Sequence, residues 1–246
     1  MLIQVLVLLA GLLLGTLLNI LIVRLPRAKG LWGWPRCTRT GERLALWQLV
    51  PLVGWLLQGG RARNGRPLAW IYPLVELLSA LMLLRLYQLY DLSANFFYLA
   101  FVSAILLLTG AIDWLHRYIY TFLVLGASLI ALMLGPALGM DWRNLLLGAL
   151  FGGSIFLLFF MLARMLFPTI ATPFGLGDVY LAIFIGAVVG LVNLGPALVY
   201  GMILAGIVAA GIMIARAAGR PTPTYIAYGS YLCLGVLIFI ALGRMG

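Results

Sequence analysis

The chain has 246 residues, of which 65% are hydrophobic and only 9% charged, with a mean hydropathy of +1.14. An ordinary soluble domain carries about 25% charge, so this balance excludes one, together with disorder and a disulfide scaffold. The formal charge of +10, from 16 Lys and Arg against 6 Asp and Glu, would suggest nucleic acid in a soluble protein. Here membrane topology accounts for it, so the expected partner is the lipid bilayer and no nucleic acid. Cys37 and Cys233 are the only cysteines and His116 the only histidine. A four-ligand zinc site would need carboxylate help, and no structural metal is expected.

The first apolar run, Leu2 to Val23, would make about 33 Å of helix against a hydrocarbon core of about 30 Å. No cation precedes it and no small-residue cleavage site follows it, so it reads as a retained span rather than a removable signal. Residues 24–70 form a loop holding nine of the sixteen cations and five of the seven tryptophans, the composition of a segment lying against headgroups. Within it, Leu44 to Leu57 is apolar but short and is interrupted by Gln48, Pro51 and Gly54, so it belongs at the interface. Further spans are predicted near 71–90, 94–112, 119–138, 145–167, 178–194, 196–215 and 225–243. The expected fold is all-α and polytopic, with about eight transmembrane helices. It divides into a first helix (1–23), the loop (24–70) and a transmembrane core (71–246). The turn between the fifth and sixth of these later spans, 178–194 and 196–215, is expected around Asn193, Gly195 and Pro196.

The arginines orient the chain. With the 24–70 loop in the cytoplasm, Arg117, Arg164, Arg216 and Arg220 fall on the same side. Arg85, Arg143 and Arg244 fall towards the other, as the positive-inside rule requires.

Ionisable groups in a bilayer are costly, so the six acids are where chemistry is sought. Asp91 and Asp141 lie in short outer loops as solvated turn residues, and Glu42 sits among Arg39 and Arg43 as a surface pair. Asp113 closes one apolar run and Asp178 opens another, both at the cytoplasmic side and at similar depth. Two carboxylates in a partly dry site tend to share one proton. One can then activate water while the other protonates a leaving group, which hydrolyses a peptide bond without a nucleophilic side chain. The alternative is that each marks a membrane boundary.

The run Gly175-Leu176-Gly177-Asp178 bears on that choice. Its glycines leave no side chain in the way of a substrate backbone approaching the carboxylate, and Asp178 opens a helix whose dipole suits a negative charge. Glu76, about one turn inside the cytoplasmic end of the second span, has two open roles: a structural partner for an arginine or backbone amide, or a contact to a substrate amine or cofactor. His116 and Arg117 read as headgroup-facing. The pairs Gly11/Gly15 and Gly186/Gly190 have the spacing of close helix packing.

Gly175-Leu176-Gly177-Asp178 resembles the signature of the Gly-x-Gly-Asp intramembrane aspartyl proteases. Three further segments narrow the resemblance to the bacterial type IV prepilin peptidases: Gly15-Thr16-Leu17-Leu18-Asn19 running into Arg24-Leu25-Pro26, Tyr72-Pro73-Leu74-Val75-Glu76-Leu77-Leu78, and Ile226-Ala227-Tyr228-Gly229. The resemblance covers nearly the whole chain. It implies an aspartic endopeptidase that removes the leader of type IV prepilins or pseudopilins at the cytoplasmic face of the inner membrane, in pilus assembly or type II secretion. Asp113 and Asp178 would be its catalytic pair and Gly175 and Gly177 its active-site loop.

Many members also methylate the new N-terminus with S-adenosylmethionine, an activity associated with the first loop and with two Cys-x-x-Cys pairs there. This loop keeps Cys37 but has Thr40, Ala62 and Gly65 at the other three positions, so no zinc is expected. Beyond the loop, the chain has Ile119-Tyr120-Thr121 after Asp113 and Tyr180 after Asp178 where the family usually has an Ile-Pro-Asp/Asn string and a lysine. The rival reading is a proton- or cation-coupled transporter using the same acids, which would place them near the midplane between internal repeats. No convincing repeat is present. The sequence sets no oligomeric state.

Overall fold

A computed structural model describes residues 1–27, 34–37, 40–62, 64–166, 175–220, 222 and 226–244. Arg39, used in the reading above, lies outside them. The described residues form eight helices: α1 Leu2–Arg24, α2 Val53–Leu57, α3 Ile71–Tyr90, α4 Ala94–His116, α5 Thr121–Ala137, α6 Trp142–Leu166, α7 Leu176–Ala217 and α8 Tyr228–Ala241. Five of them, α1, α3, α4, α6 and α7, are long and apolar enough to cross a membrane. The protein is an all-α, multi-pass membrane protein. It has two compact units, residues 1–111 and 112–246, with the division falling inside α4.

In the first unit α1 packs on α3. Lipid tails are as apolar as leucine, so helices in a bilayer associate through close packing and hydrogen bonds rather than through hydrophobic burial. Gly11 and Gly15 supply that closeness: a Cβ on Gly11 would lie 2.5 Å from Ala80 Cα, and one on Gly15 equally close to Glu76 Cα. Ser79 Oγ donates across the same seam to the Gly11 carbonyl at 2.7 Å. The opposite face of α1 exposes Leu6, Leu9, Leu13 and Leu17, as a lipid-facing stripe should.

The loop after α1 contains two tight hairpins. In one, Cys37 N–H donates to Glu42 at 2.8 Å and Gly41 N–H to Cys37 at 3.0 Å. In the other, Ala62 N–H donates to Arg66 and Gly65 N–H to Ala62, both at 2.8 Å. Gly41 and Gly65 both take φ +75°, a left-handed conformation that glycine adopts without steric cost. The Leu44–Leu57 stretch holds a 3-10 turn over Leu46–Leu49 and the short α2.

In the second unit α7 is the central element, packed by α5, α6 and α8. Its first arm is buried all round, with Leu181, Ala182, Phe184, Ile185 and Ala187 wholly inaccessible. Glycines again set the approach. A Cβ on Gly152 of α6 would lie 2.7 Å from the Ala182 carbonyl, and one on Gly201 of α7 would lie 2.7 Å from Leu232 Cα of α8.

α7 is two rods joined at Gly190, whose φ 73° and ψ 172° are not helical. The expected break at Asn193, Gly195 and Pro196 is therefore corrected to Gly190, and Pro196 lies inside the second rod. Proline removes one backbone donor and kinks a helix, whereas this extended positive-φ geometry, accessible essentially only to glycine, breaks the helix into two rods. Asn144 Oδ1 then accepts Val192 N–H at 3.1 Å, satisfying a donor that the start of the second rod leaves free. Gly190 is thus a joint as well as a packing residue: a Cβ on Gly148 of α6 would lie 2.5 Å from the Gly186 carbonyl oxygen and 2.6 Å from the Gly190 carbonyl carbon.

Candidate active site

Asp113 and Asp178 both belong to the second unit, and each is fixed by a helix end. Asp113 sits in the last turn of α4. Its carbonyl accepts Arg117 N–H at 2.7 Å, and Arg117, at φ 53°, turns the chain out of the helix as a left-handed residue past a C-terminus does. Asp178 is the third residue of α7, with Gly175 as N-cap, and its N–H donates to the Gly175 carbonyl at 3.1 Å. Asp113 is buried, 6% exposed, and Asp178 is half-buried.

The fold brings the two side chains together at the start of α8. A Cβ built on Gly229 would lie 3.0 Å from Asp113 Oδ2, 3.1 Å from Asp178 Oδ1 and 2.9 Å from Ile119 Cδ1. The two oxygens can be no farther apart than the first two distances laid end to end. Gly229 is buried, and any side chain there would occupy the space between the acids.

Ile119 closes the apolar side of this space. It is 8% exposed and sits against both Gly229 and Gly177, where a Cβ would lie 2.8 Å from Ile119 Cβ. Gly175 stands on the other side of Asp178, with its Cβ position 3.2 Å from Asp178 Oδ2. Asp113 is held from α8: Ser230 N–H and Ser230 Oγ donate to Asp113 Oδ2 at 2.7 and 2.9 Å. The sequence reading quoted Gly229 only as part of a motif and passed over Ile119 as a neighbour and Ser230 altogether. Small residues at a helix start carry no charge or periodicity to mark them.

Glu76 belongs to a different cluster, in the first unit. It is buried on α3, where its Oε1 accepts from Thr16 Oγ1 and Asn19 Nδ2, both at 3.1 Å. Its Oε2 accepts Leu52 N–H at 2.7 Å. Leu52 holds φ 60°, a conformation costing about 1–3 kcal/mol that this bond helps to fix. Of the two roles left open by the sequence, the partnership with a backbone amide is present. Glu76 also lines a pocket with Asn19, Trp55, Tyr72 and Gln58, where Asn19 Oδ1 and Trp55 Nε1 are buried with no hydrogen-bond partner among the described residues.

Residues 9–90 match the family described as Bacterial Peptidase A24 N-terminal domain. A relative from Xanthomonas campestris pv. campestris, a prepilin leader peptidase/N-methyltransferase, is 28% identical over 93% of this chain and 88% of its own. One of the same name from Pseudomonas aeruginosa is 29% identical over 96% of this chain and 89% of its own. A third, also of that name, from Myxococcus xanthus, is 30% identical over 87% of this chain and 63% of its own. Over most of its length the chain is similar to prepilin leader peptidase/N-methyltransferases, and residues 9–90 to the N-terminal domain of bacterial peptidase A24. No solved structure matches it.

The family-matched segment covers α1, the loop and α3, and so includes Thr16, Asn19 and Glu76, while both aspartates lie beyond it. The loop's hairpins place Cys37, Thr40 and Ala62 around one cavity. Cys37 supplies the sole sulfur there, and among the described residues no three His, Cys, Asp or Glu side chains are grouped. The donor set does not fit zinc, which requires four ligands at a structural site.

Proposed function

We propose that this protein is an aspartic endopeptidase that cleaves the leader from type IV prepilins or pseudopilins, using Asp113 and Asp178 at the cytoplasmic face of the inner membrane. Convergence of the two carboxylate oxygens on Gly229 carries the reading. The deeper carboxylate takes a proton from water as its oxygen attacks the scissile carbonyl carbon. The other donates a proton to the carbonyl oxygen, giving a neutral gem-diol. Proton return to the leaving nitrogen then breaks the C–N bond and releases leader and mature protein. Gly175 and Gly177 leave the approach to Asp178 unobstructed, so an extended substrate backbone can lie against it. Placement at the cytoplasmic face rests on the arginine asymmetry.

Asp113→Asn and Asp178→Asn should each lower cleavage of a co-expressed prepilin by about 10²–10⁴-fold while the protein still inserts, as judged by membrane fractionation. Normal processing by either variant would refute the assignment.

The pocket beside Glu76 supports a second activity, methylation of the freed amine. S-adenosylmethionine, when bound, supplies an electrophilic methyl group on sulfur. Glu76 offers a carboxylate for a cationic group, Trp55 a ring and an unspent donor, and Asn19 an unspent acceptor, which suits that ligand. Glu76→Gln should abolish methylation and leave cleavage within about two-fold, since Glu76 belongs to the other unit. Mass spectrometry of the mature pilin reads both events. Equal loss of cleavage, or undiminished methylation, would contradict the separation.

A further inference from the structure

The start of α8 holds a residue that the peptidase reading has not used. A helix leaves its first four N–H groups without intrahelical partners, and here the N-cap residue, Ala227, supplies no side-chain cap. Asp113, 117 residues away on α4, caps the third. Ser230 gives it two donors, the backbone N–H at 2.7 Å and Oγ at 2.9 Å, and both go to the same oxygen, Oδ2.

A carboxylate oxygen has two lone-pair directions near the plane of the group. With both taken, the carboxylate cannot turn about its final torsion without breaking one bond or the other. Oδ2 is also closed to a proton, so a proton shared by the pair must sit on Asp113 Oδ1 or on Asp178. Asp178, half-buried beside the exposed Gly175, is the member open to an incoming peptide. The pair is therefore asymmetric before substrate arrives.

We propose that Ser230 is a positioning residue of the peptidase: its two donors orient Asp113 as the carboxylate that takes the proton from water and leave Asp178 to protonate the scissile carbonyl. This rests on the assignment of Asp113 and Asp178 as the catalytic pair. Ser230 itself touches neither water nor substrate in this account. Its hydroxyl acts on the chemical step and not on substrate binding.

The test measures kcat and KM for a purified type IV prepilin in detergent micelles, with the full-length protein as wild type, Ser230→Ala, Ser230→Thr, Asp113→Asn and Asp178→Asn. Loss of one hydrogen bond to a charged group predicts a fall in kcat of about 10–100-fold for Ser230→Ala, with KM within about two-fold. Ser230→Thr, which keeps a hydroxyl, should recover most of the rate. Wild-type kcat in Ser230→Ala, a loss confined to KM, or a threonine variant as slow as the alanine one would each overturn the proposal. Should Ser230→Ala not fold, Ser230→Cys, with a weak donor in nearly the same volume, takes its place: a reduced kcat supports the proposal and an unchanged one refutes it. Inactive asparagine variants beside an unaffected Ser230→Ala would remove only the Ser230 role. Active asparagine variants would remove the pair and this inference together.

Discussion

Gly229 shows how much of the site depends on an atom that is missing. Its Cβ position lies within about van der Waals contact distance or less of Asp113 Oδ2, Asp178 Oδ1 and Ile119 Cδ1. Alanine there must push an acid or the isoleucine aside. Gly229→Ala should lower prepilin cleavage by about 10-fold or more, since small displacements of reacting groups cost about 10²-fold. It should leave the helical content unchanged by circular dichroism. Wild-type turnover would mean that the acids do not meet at this point. Asp113 and Asp178 drew notice in the sequence because a charge at the end of an apolar run needs a reason. Gly229, Ser230 and Ile119 did not, because small and aliphatic side chains are ordinary in such a chain, and only folding brings residues 119, 178 and 229 to one place.

At the scale of the helix, the positions of the apolar runs were readable to within a few residues, since a bilayer demands about 20 apolar residues per span. The division of α7 was not. Asn193, Gly195 and Pro196 carry the usual breaking signals, yet the chain breaks at Gly190, where the surroundings favour it: α6 presses close and Asn144 supplies an acceptor to the second rod. Nothing local distinguishes Gly190 from the packing glycines around it. Gly190→Ala should cost about 1–3 kcal/mol, the expense of a positive-φ geometry open essentially only to glycine, and lower the unfolding midpoint in detergent. Asn144→Ala, which loses one capping bond, should cost about 1 kcal/mol. A Gly190→Ala protein as stable as wild type would show that the joint is not strained by a side chain.

Over the whole molecule, the two clusters of acids fall in separate units, with Glu76 in residues 1–111 and the aspartates in residues 112–246. Composition made the membrane class plain, because so apolar a chain with so few charges needs a bilayer. The loop shows what a pattern conveys and what it does not. Its hairpins persist through backbone hydrogen bonds and left-handed glycines, although three of the four cysteine positions are filled by Thr40, Ala62 and Gly65.

The account turns on Asp113 and Asp178 acting as one unit, and prepilin cleavage by the two single asparagine variants and the double variant measures that directly. Groups that work together are strongly non-additive, so the double variant should be no slower than the slower single. Losses that multiply, or a single variant that cleaves at the wild-type rate, would contradict it.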